Sequence, residues 1–249
     1  SYFGKMLIDN SATHVLLTAS TGSGKGVSVV MPTILIGCTS SCIIADLKGE
    51  NFDKSSGYRE EVLGNKCFYL DFSDYKSCSY NPLSIIKKGS KNEYTYSRLV
   101  ATNIVKATTG ESQSDPFWID SSVMLLQGII TYSLYKFRNR EITMNDVNNF
   151  LNQENVKEYA KSIKDNFQIT KEEVLQIADY YDETELKLLK KRKHPEIERA
   201  FNGILDTADE TFKSILMTLK TTLSSFLGAV TKEIVKTNTF TGKDLTHYK

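Results

Sequence analysis

A short apolar run, His14-Val15-Leu16-Leu17-Thr18, leads directly into Ala19-Ser20-Thr21-Gly22-Ser23-Gly24-Lys25-Gly26, and this joint constrains the chain more than any other feature. Glycines in such a loop let successive backbone N–H groups turn inward, and the lysine adds a mobile positive charge. A helix starting near Lys25 and running through Val27-Ser28-Val29-Val30-Met31 aims its positive end at the same place. Strand, glycine loop and helix in that order make a phosphate cradle for a nucleoside triphosphate. Its candidate binding residues are Thr21, Gly22, Ser23, Gly24, Lys25, Gly26 and Val27. Ala19 stands where the general pattern has its first glycine, and Gly26 stands where a hydroxyl normally meets magnesium; Ser28 lies too far along the helix to be taken as a substitute. The alternative is a Gly/Ser-rich turn with an incidental lysine.

Ser41-Cys42-Ile43-Ile44-Ala45-Asp46 reads as a second buried strand ending in a carboxylate, followed by Leu47-Lys48-Gly49-Glu50. Strand tips of parallel sheets face the ligand crevice, so Asp46 there could accept a water on magnesium, with Glu50 or Lys48 facing the phosphates. The same residues equally suit an Asp-x-Lys-Gly turn that caps the next helix. A helix-like segment around residues 58–64 precedes a third apolar run, Cys67-Phe68-Tyr69-Leu70-Asp71-Phe72. Strand and helix thus alternate from residue 14 to residue 72, which predicts a parallel α/β sheet.

The segment Thr21 to Val27, Met31-Pro32, Asp46-Leu47-Lys48-Gly49-Glu50, Gly57-Tyr58-Arg59, Asp71-Phe72, Tyr80-Asn81-Pro82-Leu83 and Phe117-Trp118 fall in an order and spacing that resembles the TraG-like coupling proteins of type IV secretion and conjugation systems. That family often carries glycine at the Gly26 position. The resemblance implies a membrane-anchored, hexameric, RecA-like ATPase at the cytoplasmic face of the cell membrane. Such a protein uses ATP and Mg2+ to pass protein effectors or relaxase-bound single-stranded DNA to the proteins of a secretion channel. It assigns Lys25, Asp46 and Glu50 to catalysis, with Asp46 near the metal, and leaves Arg59 as a guess for a contact from a neighbouring subunit.

From about Tyr94 to Phe212 the pattern becomes helical and strongly charged. Residues 123–135 form its most apolar stretch, which is too short for a membrane span and suits the central helix of a bundle. Thr143 or Asn145 suits the cap of a following helix. Residues 214–227 pattern as an amphipathic helix leading back to the sheet, and residues 239–245 as a strand-edge connection. The fold expected is therefore a RecA-like nucleotide-binding domain with a parallel sheet over residues 1–92, an all-α insertion over 93–212 that meets cargo, and a return to the first domain over 213–249. The cluster Lys187, Lys190, Lys191, Arg192, Lys193, His194 reads as a solvated helix end, its field diluted by Glu183, Glu185, Glu196 and Glu198. Trp118, beside Pro116-Phe117, reads as a packing anchor rather than a base-stacking platform.

With 40% hydrophobic residues in 249, a sizeable core can form, while a formal net charge of +1 exerts no general pull on nucleic acid. Any DNA contact is then local, for instance in a channel formed by a ring of subunits. Cys38, Cys42, Cys67 and Cys78 contain no C-x-x-C pair and read as reduced core residues; His14, His194 and His247 are too scattered for a metal cluster. No later apolar run ending in Asp-Glu and no apolar span of membrane length is seen, so the chain reads as part of a longer protein. Other readings of the same residues are a DNA translocase of the FtsK or HerA kind and a non-catalytic module that docks substrates or adaptors through its helices.

Overall fold

A computed structural model describes residues 14–37, 40–109 and 116–246. The chain divides into two compact units, one of Ser1–Tyr69 with Phe240–Lys249 and the other of Leu70–Thr239.

In the first unit the expected sheet is absent, which corrects the α/β, RecA-like reading of the fold. Among the described residues there is no strand, and the runs 14–18, 41–46 and 67–72 carry no ladder. A strand leaves its backbone N–H and C=O groups to be satisfied by a neighbour, so an apolar run becomes one only where a second run lies beside it in register. Here Val15, Leu16 and Ile43 are 80%, 90% and 86% exposed, so little packing supports these side chains among the described residues. The chain after the glycine loop turns instead into wide helical turns, π-helical over Gly26–Val30 and Thr33–Gly37. Helix α1 (Glu50–Glu61) follows and carries Glu50 and Asp53 in its first turn, where the positive helix end favours them. It begins earlier than the 58–64 segment suggested. Gly64, in the left-handed region at φ 70, lets the Asn65 N–H reach back to the Arg59 carbonyl at 2.9 Å and end the helix. The tail expected as a strand edge is a short helix, Gly242–Thr246. Phe68 stacks on Phe240 with ring centroids 4.8 Å apart.

The second unit is built of helices α2 (Glu93–Thr109), α3 (Pro116–Lys136), α4 (Met144–Leu151), α5 (Val156–Asn166), α6 (Lys171–Ile177), α7 (Glu183–Lys190), α8 (Pro195–Leu205), α9 (Asp209–Leu223) and α10 (Ala229–Ile234). Helix α3 is apolar on all sides, so it takes the centre; α2, α4, α8 and α9 pack around it, and α5 packs on α8. Small residues set the closest crossing. A Cβ added at Gly128 of α3 would lie 2.5 Å from the Ala200 Cβ of α8, and one at Gly203 would lie 2.7 Å from the Met124 methyl. Glycine at 128 and 203 therefore allows an approach that longer side chains prevent.

Helix starts are marked by reciprocal caps. Asp146 accepts the Thr143 N–H at 2.8 Å, Glu173 accepts the Thr170 N–H at 2.7 Å, and Asp182 accepts the Thr184 and Glu185 N–H groups at 2.8 Å. The Tyr80-Asn81-Pro82-Leu83 motif is a latch. Buried Asn81 donates through Nδ2 to the Ile142 carbonyl at 2.8 Å, and its N–H donates to Asn238 Oδ1 at 2.9 Å. The Tyr80 N–H donates to the Ile234 carbonyl at 2.9 Å, so one turn ties the start of the unit to its end.

Candidate functional site

The glycine loop sits in the first unit as an exposed turn. Gly22 and Gly24 lie in the left-handed region at φ 79 and φ 84, a conformation that glycine adopts without strain. The Ser23 N–H closes the turn onto the Ser20 carbonyl at 3.3 Å. Nothing lies within 4 Å of where a Cβ would project at Gly22 or Gly26, so the loop is open to a bulky anion. Lys25 folds back over the loop, its Nζ donating to the carbonyls of Ala19 and, at 2.8 Å, Ser20. Its ammonium thus sits at the turn where the cradle reading puts the phosphates. The Ser28 hydroxyl donates to the Gly24 carbonyl at 2.7 Å and continues the helix.

Asp46 has a defined role at the start of α1. Its Oδ2 accepts the backbone N–H groups of Asn51 at 2.8 Å and Phe52 at 3.0 Å, while Oδ1 accepts from Asn51 Nδ2 at 3.2 Å. The capping alternative weighed for this aspartate is therefore occupied, with one lone pair on Oδ1 still uncommitted. Gly49, at φ 72, makes the tight turn between Asp46 and α1. Glu50 projects from the first turn of α1 and pairs with Lys54 one turn on at 3.2 Å, both side chains being exposed. Lys25, Asp46 and Glu50 each have partners of their own and share no hydrogen bond or ion pair among the described residues. Arg59, the guessed contact for a neighbouring subunit, is buried in its own unit, donating to the carbonyls of Ile34 at 2.6 Å and Ser40 at 2.9 Å.

Residue types at the loop suit an anion such as the phosphates of a nucleotide: Gly22 and Gly24 in the left-handed region, open space at Gly22 and Gly26, and one lysine within the turn. For a magnesium ion the fit is thinner. No group of three or more His, Cys, Asp or Glu that could hold a metal occurs among the described residues, and Gly26 offers no hydroxyl. Cys42 is exposed rather than in a core, and Cys38 and His247 lie outside the described residues. Burial and the nearby Glu60 push the Cys67 thiol up, away from thiolate reactivity.

A buried polar cluster in the second unit escaped sequence reading. Glu93, at the start of α2, accepts the Gly89 N–H and, at 3.0 Å, the Tyr135 hydroxyl; His194 Nε2 stands 3.4 Å from its other oxygen. The N–H of Glu196 donates to His194 Nδ1 at 3.2 Å, so the histidine caps α8 and faces Glu93 at once. Burial, with the Glu93 charge beside it, raises the Tyr135 hydroxyl far above the ordinary tyrosine range, which keeps it a donor at every physiological pH. Partners from residues 89, 93, 135 and 194 come together only through the packing of α2, α3 and α8, and no spacing rule joins them. Trp118 packs against the helical core, with the Phe117 ring edge-on at 5.2 Å.

The first unit thus carries an open glycine turn with a lysine folded into it, and a helix start held by an aspartate. The family model for type IV secretory system conjugative DNA transfer matches residues 1–249, and the chain belongs to that family. It is 29% identical over 242 residues to a conjugal transfer protein TraG of Escherichia coli, an alignment covering 96% of this chain and 35% of that protein. A second Escherichia coli TraG is 38% identical over 124 residues, 49% of this chain and 19% of the relative. Protein VirD4 of Rhizobium radiobacter is 36% identical over 110 residues, 43% and 16% of the two chains. The chain thus spans 35% of the length of that first TraG. Among the described residues no helix is long and apolar enough to cross a membrane.

Proposed function

We propose that this chain carries the nucleotide site and the cargo-recruiting helices of an ATP-driven coupling protein, one that delivers protein effectors or relaxase-bound single-stranded DNA to a type IV secretion channel. The single observation that carries this reading is the open glycine loop with Lys25 folded into it. Lys25 leaves the Ala19 and Ser20 carbonyls for the β- and γ-phosphates of ATP, and the amides of Thr21 to Val27 surround them. Exchanging two neutral carbonyls for phosphate oxygens strengthens each bond the ammonium makes. Asp46 offers its uncommitted lone pair to a water on Mg2+, and Glu50, held only by an exposed lysine, is free to swing toward the same place. ATP with Mg2+ supplies the phosphoanhydride bond whose cleavage drives transport. Residues 1–92 and 213–249 serve the nucleotide and residues 93–212 meet the cargo. The full-length protein is a homo-hexamer held at the cytoplasmic face of the cell membrane and joined to channel proteins.

The test is ATP binding and turnover by this chain across a range of protein concentrations, with and without single-stranded DNA. ATP binding that Lys25→Ala weakens at least about a hundredfold, with the fold intact, is the expected result. A Lys25→Ala chain that binds ATP as the parent does would remove the loop from the site.

A further inference from the structure

The basic cluster at the end of α7 has a different character in three dimensions from the one its flanking glutamates suggest. Glu185 and Glu196 are turned toward Arg199, whose Nη1 donates to both Glu196 oxygens at 3.0 and 3.1 Å while Nη2 binds Glu185. Glu196 is buried in that position. What remains on the outside is Lys187, Lys190 and Lys191, all exposed and without an ion pair among the described residues.

The turn that presents them is rigidly built. Arg192 adopts the left-handed conformation at φ 61, uncommon for a side chain of its size. Its carbonyl accepts the Ile169 N–H at 3.0 Å, and its Nε donates to the Ile169 carbonyl at 2.8 Å. Lys193 reaches across to the last carbonyls of α5, those of Lys164 and, at 2.9 Å, Asp165. Loop α5–α6 and turn α7–α8 are thereby stitched together, and Lys193 and Lys164 are both taken up with the Glu198 carboxyl, Lys193 Nζ standing 4.0 Å from it.

We propose that this surface, formed by Lys187, Lys190 and Lys191, docks a short acidic segment of a protein partner. Its limited extent selects that occupant over a nucleic-acid strand. Glu183 lies one turn before Lys187, about 6 Å along α7, and bounds the patch on that side. Glu172 sits near Arg192, and Asp165 lies at the end of α5. A polyanion with evenly spaced phosphates would run onto these carboxylates on leaving the patch, whereas a run of a few aspartates or glutamates ends before it meets them. A chain of net charge +1 adds no wider field to hold a longer polyanion. The inference rests on the reading of the helical unit as the cargo-facing part, and its test uses no nucleotide.

The experiment is fluorescence anisotropy of the whole chain with a short glutamate-rich peptide, its glutamine counterpart, and an oligothymidylate of equal charge. The glutamate peptide should bind more tightly than either other probe and lose affinity with added salt. The variant K187Q/K190Q/K191Q, checked for an unchanged melting curve, should bind it about tenfold more weakly, and the all-arginine replacement should restore binding. Equal binding of the glutamate and glutamine peptides would overturn the proposal, as would indifference to the triple substitution. Tighter binding of the oligothymidylate, lost in the triple variant, would make the surface a nucleic-acid site instead. Lys25→Ala should leave peptide binding unchanged, so a failed nucleotide site and a failed docking surface give separate results.

Discussion

The two units treat the same kind of residue in opposite ways. In the helical unit Leu125, Leu126, Ile129 and Ile130 lie wholly inside, whereas in the loop-bearing unit Val15, Leu16, Ile43 and Leu47 face outward. The first set belongs to one long apolar helix, whereas Val15, Leu16 and Ile43 belong to shorter apolar runs. The difference lies in what each backbone needs. A helix satisfies its own N–H and C=O groups, so α3 forms on its own pattern and then buries its side chains among neighbours. An extended run must borrow both its hydrogen bonds and its packing from another run, and among the described residues 14–18 and 41–46 form no ladder and leave Val15, Leu16 and Ile43 exposed.

The sharpest way to break this comparison is to truncate matching apolar residues in each unit. Phe201→Ala, which empties a fully buried place between α3 and α8, should destabilise the helical unit by about 3–5 kcal/mol in chemical unfolding. Leu16→Ala, at 90% exposure, should change the unfolding of its unit by less than about 0.5 kcal/mol. Equal losses at the two sites would end the contrast.

A finer test adds rather than removes atoms. Gly128→Ala puts a methyl 2.5 Å from the Ala200 Cβ, so α3 and α8 must separate; about 1–3 kcal/mol of stability should be lost. The same change at Gly26 in the first unit, where nothing lies within 4 Å, should leave unfolding nearly unaltered.

Acid should sharpen the comparison further. Burial alone would raise the Asp146 carboxyl, but Arg140 and the Thr143 N–H outweigh it and hold it below the ordinary carboxylate range. Glu173 is likewise lowered against its burial, by the Thr170 N–H, Arg138 and Lys88. A carboxyl with a depressed folded value contributes stability that is full above the unfolded value, near pH 4, and is lost as pH falls through the folded one. The helical unit should therefore weaken below about pH 4, and Asp146→Asn should reduce that acid dependence in circular dichroism titrations. The smallest expected effect is that of Lys25→Ala on stability, since its partners are exposed loop carbonyls; an unchanged melting curve checks it.

Much of the helical unit was legible from local pattern. The apolar stretch 123–135 lies inside α3, and Thr143 caps α4 with Asp146 three residues on, because helix periodicity and capping act within a few residues. At the candidate site the glycine turn and the position of Lys25 were equally local and equally legible. Asp46 was readable as either a cap or a metal neighbour, and its two backbone N–H partners put the capping role on the page without touching the other. Arg59 could not be placed from its neighbours in sequence, since the carbonyls it binds belong to Ile34 and Ser40. The charge around residues 187–193 could not be weighed from sequence for a similar reason: how Glu185 and Glu196 act on it depends on Arg199 reaching both.

By itself, the order of residues determined the family, the glycine turn with its lysine, and the helices that close their own hydrogen bonds. Tertiary structure alone decided whether apolar runs become strands, that Asn81 latches the turn 80–84 to residues 142 and 238, and that Glu93, Tyr135 and His194 meet in the core. The physical reason is range. Turns, caps and helices are settled by forces acting over one or two turns of chain, while ladders, buried polar clusters and the net charge of a surface depend on residues that only folding brings within reach.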